Sequence, residues 1–327
     1  MVDHQGCEPH LRVVNLGTRQ LFRRRSHNGN ITLMSENSIS ASLGPSVTMS
    51  QHTFTADFGL TSLQVSKERA VMRVDLHDKL RNDAGAAALG MLTTVVDIVT
   101  STPALAACSP DWTATQDLSI HTAEPLTEGP VVVDTHLVRI GKKTVHVAAE
   151  IFDGCGITDM GELVTALDDG ALRPAGRGLV TFARLPRAAA AGSDHYNPGE
   201  WVGAIREYPS EHVEGSIYSR LAMRTLDAQT GVLELDLTPF VANMIGTIQG
   251  GAQALLAEHA AHTVLPGFVA TDIQAHYLSQ VKVGPARSHV TVVRETKDHA
   301  VVDVRLVDAG ADDQVLALTT VTLQRLS

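Results

Sequence analysis

Asn82-Asp83-Ala84-Gly85-Ala86-Ala87-Ala88-Leu89-Gly90 and, 161 residues later, Asn243-Met244-Ile245-Gly246-Thr247-Ile248-Gln249-Gly250-Gly251 share one skeleton. In each, Gly follows the Asn by three positions. A carboxylate, Asp97 or Glu258, follows it by fifteen, inside a run rich in Ala, Leu and Val. The repeat continues beyond these runs. Asp117-Leu118-Ser119-Ile120-His121 matches Asp272-Ile273-Gln274-Ala275-His276, and each Asp stands twelve residues ahead of a Gly, Gly129 or Gly284. Correspondence through a helix, a strand and the following turn means two copies of one unit rather than one large domain. An acid inside an apolar helix is costly to bury, so it points to chemistry before packing.

The rest of the chain fits two copies. Its 327 residues suffice for two domains of ordinary size, and a hydrophobic content of 44% supports a sizeable core. A net charge of −10 and only 4% aromatic residues exclude an extended nucleic-acid surface, which needs clustered cations and stacking rings. Cys7, Cys108 and Cys155 are odd in number and far apart, with no CxxC, so free thiols in a reducing compartment are expected and zinc is not. No signal peptide follows Arg23-Arg24-Arg25, and no apolar run approaches the ~20 residues that span a bilayer. A cytoplasmic protein with no membrane span is the expectation.

Residues 1–50, rich in Ser, Asn, Gly and Arg, read as a loosely ordered tail, with Met34 and Met49 as alternative starts. Residues 51–186 form the first unit, 187–212 a linker and 213–327 the second unit. In the first unit, a strand at 70–76 precedes the apolar run 86–105. Strands follow at 111–120, 130–140, 144–152 and 178–185, with Gly141-Lys142-Lys143 as a tight hairpin and 153–175 as an acidic connection. In the second, strands are expected at 217–225 and 231–237, a helix at 250–264, and strands at 269–278, 286–294, 300–307 and 315–325. A helix apolar on all sides is buried on all sides, and a continuous antiparallel meander after it must wrap it. The fold class is therefore α+β: two tandem hot-dog domains, each an antiparallel sheet around one long central helix, packed as an internal pseudo-dimer.

Asn243-x2-Gly246-Thr247-x-Gln249-Gly250-Gly251, with Glu258 eight residues beyond Gly250, resembles the signature of the phenylacetate-pathway type of hot-dog acyl-CoA thioesterase. That family carries Asn, Gly-Thr, His-Gly-Gly and then an acid. The resemblance covers both units and is dense around the helices and the strands after them. It implies hydrolysis of an acyl-CoA by water, without metal or redox cofactor, at sites shared between two hot-dog units. One unit supplies the Asn and the glycine amide at a helix N-terminus; the other supplies the acid and a Ser or Thr. Carried across the two halves, it gives site A from Asn243, Gln249 and Gly250 with Asp97 and Thr115. Site B combines Asn82, Ala88 and Leu89 with Glu258 and Ala270. Site A departs from the family only in Gln249, which replaces His. Site B lacks the His, the first Gly and the hydroxyl, so it is expected to be degenerate.

The residue types suit the chemistry. An oxyanion needs fixed donors, and a helix N-terminus offers free amides with partial positive charge. A carboxylate among Val95, Val96, Ile98 and Val99 should have a raised pKa, the direction that suits a base. Simpler readings stand beside these: Asn243 as a helix cap, Gly250-Gly251 as a tight entry to the helix, Gln249 as filler, Thr115 as an ordinary strand residue and Glu258 as part of a local polar network. Lys142, Lys143, Lys282 and Arg287 are candidates for coenzyme A phosphate contacts or plain solvated charge. Asp194-His195-Tyr196-Asn197-Pro198 resembles the Asp-x-Asn-Pro signature of hot-dog enoyl-CoA hydratases, with the wrong spacing and no matching downstream His. The functional alternative to hydrolysis is a non-catalytic acyl-CoA sensor on the same fold. Pairing of hot-dog sheets leaves room for a homo-oligomer of the internal pair.

Overall fold

The computed structural model describes residues 46–48, 53–186, 197–210, 214–243 and 245–325. Residues 194–196 of the hydratase-like stretch lie outside them, as do Met34, Met49 and nearly all of the expected tail. Among the described residues fourteen strands form one sheet in the order β1-β8-β2-β3-β5-β6-β7-β4-β11-β14-β13-β12-β10-β9.

The first half of that order comprises β1 (Ser46–Thr48), β2 (Leu60–Leu63), β3 (Arg69–Val74), β4 (Trp112–Thr122), β5 (Val131–Ile140), β6 (Thr144–Asp153), β7 (Arg173–Leu185) and β8 (Ile205–Tyr208). The second comprises β9 (Arg224–Asp227), β10 (Val232–Leu235), β11 (Phe268–Tyr277), β12 (Ala286–Glu295), β13 (His299–Asp308) and β14 (Gln314–Arg325). The runs β3-β5-β6-β7-β4 and β11-β14-β13-β12-β10 mirror each other about the β4–β11 seam. Two hot-dog units therefore share a single sheet.

The repeated Asp-x3-His segments build that seam. In the antiparallel register Asp117 faces His276 and His121 faces Asp272. His276 Nδ1 lies 2.6 Å from Asp117 Oδ1, and His121 Nδ1 lies 2.9 Å from Asp272 Oδ1. The repeat thus marks a pseudo-two-fold axis between Ser119 and Gln274, which pair with each other.

Each half wraps its sheet around one helix, α1 (Leu89–Cys108) or α4 (Gly250–Val264). The valines of α1 bury against Leu118, Ile120, Val180 and Phe182 in one continuous core. α1 reaches 20 residues and is apolar enough, by length and composition, to cross a membrane, which corrects the expectation that no segment approaches that length. Its apolar side chains are spent on the core of this fold.

The two helices cross where glycine permits it. A Cβ on Gly90 would stand 2.8 Å from the Leu255 backbone, and one on Gly251 would collide with the Thr94 hydroxyl. These contacts are equivalent by the 161-residue offset, so both halves use the second helical residue as the crossing point.

Several expectations need correction. The connection 153–175 contains α2 (Met160–Asp168), whose cap Asp159 accepts from the amides of Gly161 and Glu162 at 2.9 Å. α2 buries Met160, Leu163 and Val164 on the sheet face away from α1, against Leu63, Val71 and Val132. The strand expected at 217–225 is α3 (Ile217–Arg220) followed by β9. The stretch read as linker holds β8, which pairs with β2 in the first half. β1 lies inside the expected tail and runs parallel to β8.

Candidate active site

Both loops that precede the core helices are shaped by their asparagines. Asn82 Oδ1 accepts from the amides of Ala84 and Ala86 at 3.0 and 3.2 Å. Asn243 Oδ1 accepts from Ile245 and Thr247 at 3.1 and 3.2 Å. Each carboxamide oxygen therefore folds the loop that delivers the chain to the helix, and only its nitrogen end remains for a ligand.

At site B the expected cross-domain partnership is direct. Glu258, 0% exposed on α4, accepts from Leu89 N at 2.9 Å and from Gly90 N at 2.7 Å. A carboxylate from the second domain thus fills the two amides that open α1, where charge and helix dipole favour it. The Tyr218 hydroxyl is buried beside it without a well-formed hydrogen bond. Burial, and then the charge of Glu258, hold that hydroxyl well above its ordinary pKa. His259 stacks on the Tyr218 ring at 5.0 Å, and its pKa is lowered, chiefly by burial. Of the other predicted members, Ala88 is the residue preceding α1, with no side-chain cap, and the Ala270 amide donates to His262 Nε2 at 3.2 Å.

At site A the same positions differ. Gln249 precedes α4 without a side-chain cap. Among the described residues no acceptor faces the amides of Gly250 and Gly251, the counterparts of Leu89 and Gly90. The acid here is Asp97, one methylene shorter than Glu258. Its Oδ1 accepts from Thr115 Oγ1 at 2.5 Å. Thr115 stands at a bulge in β4, between Thr115 and Asp117, and Ala270 stands at the matching bulge in β11. Bulges re-aim side chains, and this one aims the hydroxyl at the helix. Asp97 is half-buried, and burial pushes its pKa up to about 6, with the Thr115 bond opposing the rise.

Tyr277 completes this corner and was not anticipated from sequence. Its hydroxyl donates to Gly250 O at 2.9 Å. A Cβ on Gly250 would sit 3.1 Å from its ring. Burial raises the Tyr277 pKa, and the negative charge of Asp97 raises it further. Thr115 thus holds Asp97 in the first domain, Tyr277 holds Gly250 in the second, and the charge of the acid is felt at the tyrosine. A lone Tyr at a strand end carries no motif, and its counterpart in the first half is Thr122, so the repeat did not flag it.

Two cavities bear on ligand binding. One of about 200 Å³ opens at site B, lined by Asn82, Leu89, Thr122, Ala270 and Arg325 among others. Thr122, which lines it, stands at the strand position that Tyr277 holds in the second half. A second, of about 630 Å³, lies on the outer sheet face of the second domain, among His276, His289, Arg305 and Leu318. It touches neither acid, so its size has no bearing on the chemistry.

Of the basic candidates, Arg287 is committed to Glu234 at 2.6 Å. Lys142 and Lys143 are exposed at their hairpin, and the Lys282 amide donates to Asp308. Among the described residues neither Cys108 nor Cys155 is in a disulfide, and Cys7 lies outside them. Among the described residues no group of three His, Cys, Asp or Glu is placed to hold a metal.

Residues 239–324 match the family described as the acyl-CoA thioesterase N-terminal domain. No curated protein matches the chain in sequence. Among solved structures, a provisionally assigned oleoyl thioesterase from Lactobacillus plantarum is 12% identical with TM-score 0.53, covering 84% of this chain and all 100% of its own. The 12:0-ACP thioesterase from Umbellularia californica is 8% identical with TM-score 0.51, covering 79% and 94%. The tesB protein of Mycobacterium avium subs paratuberculosis is 9% identical with TM-score 0.50, covering 81% and 96%. At these identities the likeness establishes the fold, two hot-dog units in one chain. The fold together with the matched second domain defines the class as hot-dog thioester hydrolase.

Proposed function

We propose that the protein hydrolyses acyl-CoA thioesters at site A, between its two domains. The observation that carries this reading is the contrast between the helix N-termini: Leu89 and Gly90 are closed by Glu258, whereas the amides of Gly250 and Gly251 meet no acceptor among the described residues and the matching acid, Asp97, bonds Thr115 instead. Asp97 accepts a proton from water as the oxygen attacks the thioester carbon. The carbonyl electrons move onto oxygen, and the oxyanion takes hydrogen bonds from the open amides. Collapse restores the carbonyl, breaks the C–S bond and releases the coenzyme A thiolate, which recovers the proton from Asp97. Thr115 holds the carboxylate; Tyr277 fixes Gly250 through its carbonyl. Gln249 stands at the lip of the site, and Asn243 maintains the loop. A pKa of about 6 suits a base that must be ionised, yet still basic, near neutral pH. The reading takes no resident cofactor and a cytoplasmic setting.

The test is release of free thiol from a panel of acyl-CoAs by wild type and Asp97→Ala. Turnover lost in the variant with binding retained supports the assignment; equal turnover in both sinks it.

One observation favours a second reading, the cavity of about 200 Å³ at site B. With its amides filled by Glu258, that pocket can hold an acyl group without cleaving it. Tight acyl-CoA binding without turnover at any chain length would make the protein a sensor.

A further inference from the structure

The β2–β8 pair buries polar groups that the described chain leaves unsatisfied. Ser62 and Arg206 are direct cross-strand partners, and Gln64, two residues beyond Ser62, lies on the same face. That face also carries Leu60 and Tyr208, which pack into the main core with α1, while Leu63 and Ile205 face α2. Exposures are 0% for Gln64, 2% for Ser62 and 7% for Arg206. Gln64 Oε1 and Nε2, Ser62 Oγ and Arg206 Nε have no hydrogen-bond partner among the described residues.

The contacts of the Arg206 guanidinium are weak for a buried charge. Its Nη2 reaches Thr102 Oγ1 on α1 at 3.5 Å, and the group lies 5.3 Å from the centre of the Trp201 ring. No carboxylate pairs with it among the described residues. Arg69, Arg220 and Arg287 each meet an acid at 2.9 Å or less. A buried charge without a counter-charge is strongly unfavourable, and so is each orphaned donor or acceptor around it. One oxoanion placed among them would relieve the charge and the orphaned donors, because the guanidinium fork matches a carboxylate and the hydroxyls and amide nitrogen supply further donors.

We propose that Ser62, Gln64, Thr102 and Arg206 form an enclosed binding site for a carboxylate or similar small oxoanion. Two sources carry that chemistry: a free anion, and a carboxylate at the far end of the acyl group. Thr102 lies five residues beyond Asp97 on α1, a rise of roughly 7–8 Å along the helix and a turn of roughly 140° around it, so the acyl source requires a chain that skirts the helix. The acyl source rests on hydrolysis at Asp97; the free-anion source does not.

The experiment follows the thermal midpoint of the full chain during titration with succinate or phosphate at constant ionic strength held by chloride. The wild type should rise saturably. Gln64→Glu supplies an internal carboxylate beside Arg206, so its midpoint should start higher and ignore added anion. Arg206→Met should also be unresponsive; should it fail to fold, Gln64→Glu decides alone. In parallel, kcat/KM is compared for succinyl- and glutaryl-CoA against butyryl- and valeryl-CoA. An acyl-borne carboxylate predicts a preference of at least about tenfold, the worth of one charge-assisted bond, that is lost in Gln64→Glu. A midpoint shift without that preference assigns the site to a free anion. Neither effect in the wild type, or both undiminished in Gln64→Glu, overturns the proposal. Absence of all turnover would refute the hydrolase reading and leave the midpoint titration to decide this one.

Discussion

Glu258 Oε2 lies 2.7 Å from the amide nitrogen of Gly90, so an acid of the second domain closes the first turn of the first domain's central helix. Its other oxygen takes the Leu89 amide. Asp97 occupies the matching place on α1 but is shorter, and its Oδ1 bonds Thr115. A single methylene and one hydroxyl thus separate a helix terminus sealed by a carboxylate from one left open to an oxyanion.

Glu258→Ala should cost stability rather than turnover. Two buried charge-assisted bonds are lost and two amides stranded, worth about 2–4 kcal/mol. Urea unfolding should show that loss, while kcat/KM per folded molecule stays within about threefold, well short of the loss that follows removal of an oxyanion donor. A fall as deep as that of Asp97→Ala would move the chemistry to site B.

The Asp97 carboxyl is raised to about 6, which sets two pH profiles. For activity, kcat/KM should climb as pH passes through about 6 and the base ionises. For stability the sign is opposite. The folded pKa exceeds the unfolded one, so the carboxyl's contribution is fully present below about 4 and is lost as pH rises through about 6. Asp97→Asn should therefore gain on wild type in unfolding free energy, by about 2–3 kcal/mol, between pH 4 and pH 8. A pH-independent difference would mean Asp97 is not desolvated.

Thr115→Val removes the donor that favours the ionised acid. The apparent pKa in kcat/KM should move upward from its wild-type value, with kcat down about tenfold. An unchanged profile would mean that Thr115 does not face the working carboxylate.

Adjacent glycines should respond differently. Gly251→Ala drives a methyl into Thr94 at the helix crossing and should destabilise by about 2–3 kcal/mol, an overpacking cost. Gly250→Ala meets the Tyr277 ring at 3.1 Å, where a small tilt suffices, and should fold while losing about 10²-fold in kcat by narrowing access to its amide. Equal stability of the two variants would contradict the crossing geometry.

The duplicated skeleton was readable because the helix motifs keep a fixed offset, which matches Asp97 to Glu258 and Leu89 to Gly250; crossing them into Asp97 with Gly250 and Glu258 with Leu89 took the family resemblance. The raised pKa of Asp97 followed from its valine neighbours. The elements that escaped are short or depend on the sheet. α2 has its Asp159 cap and its apolar residues at 160, 163 and 164, but over nine residues that pattern is weak within an acidic stretch. α3 offers four residues, and β8 becomes a strand only because β2 presents a free edge. Tyr277 was invisible for a different reason: its importance lies in what it touches, and no partner in the other half repeats it. That Glu258 would sit on the amides, rather than beside them, depends on a reach that spacing cannot encode.

The sheet runs unbroken through β4 and β11, pinned by reciprocal Asp–His pairs, so both halves travel in one polypeptide. In an assembly of identical subunits, any substitution strikes every copy of a site at once. Fusion lifts that restriction: each half here is free to mutate alone. One half could surrender an active acid for a structural brace while its twin preserved the reaction, an outcome closed to a symmetric homodimer.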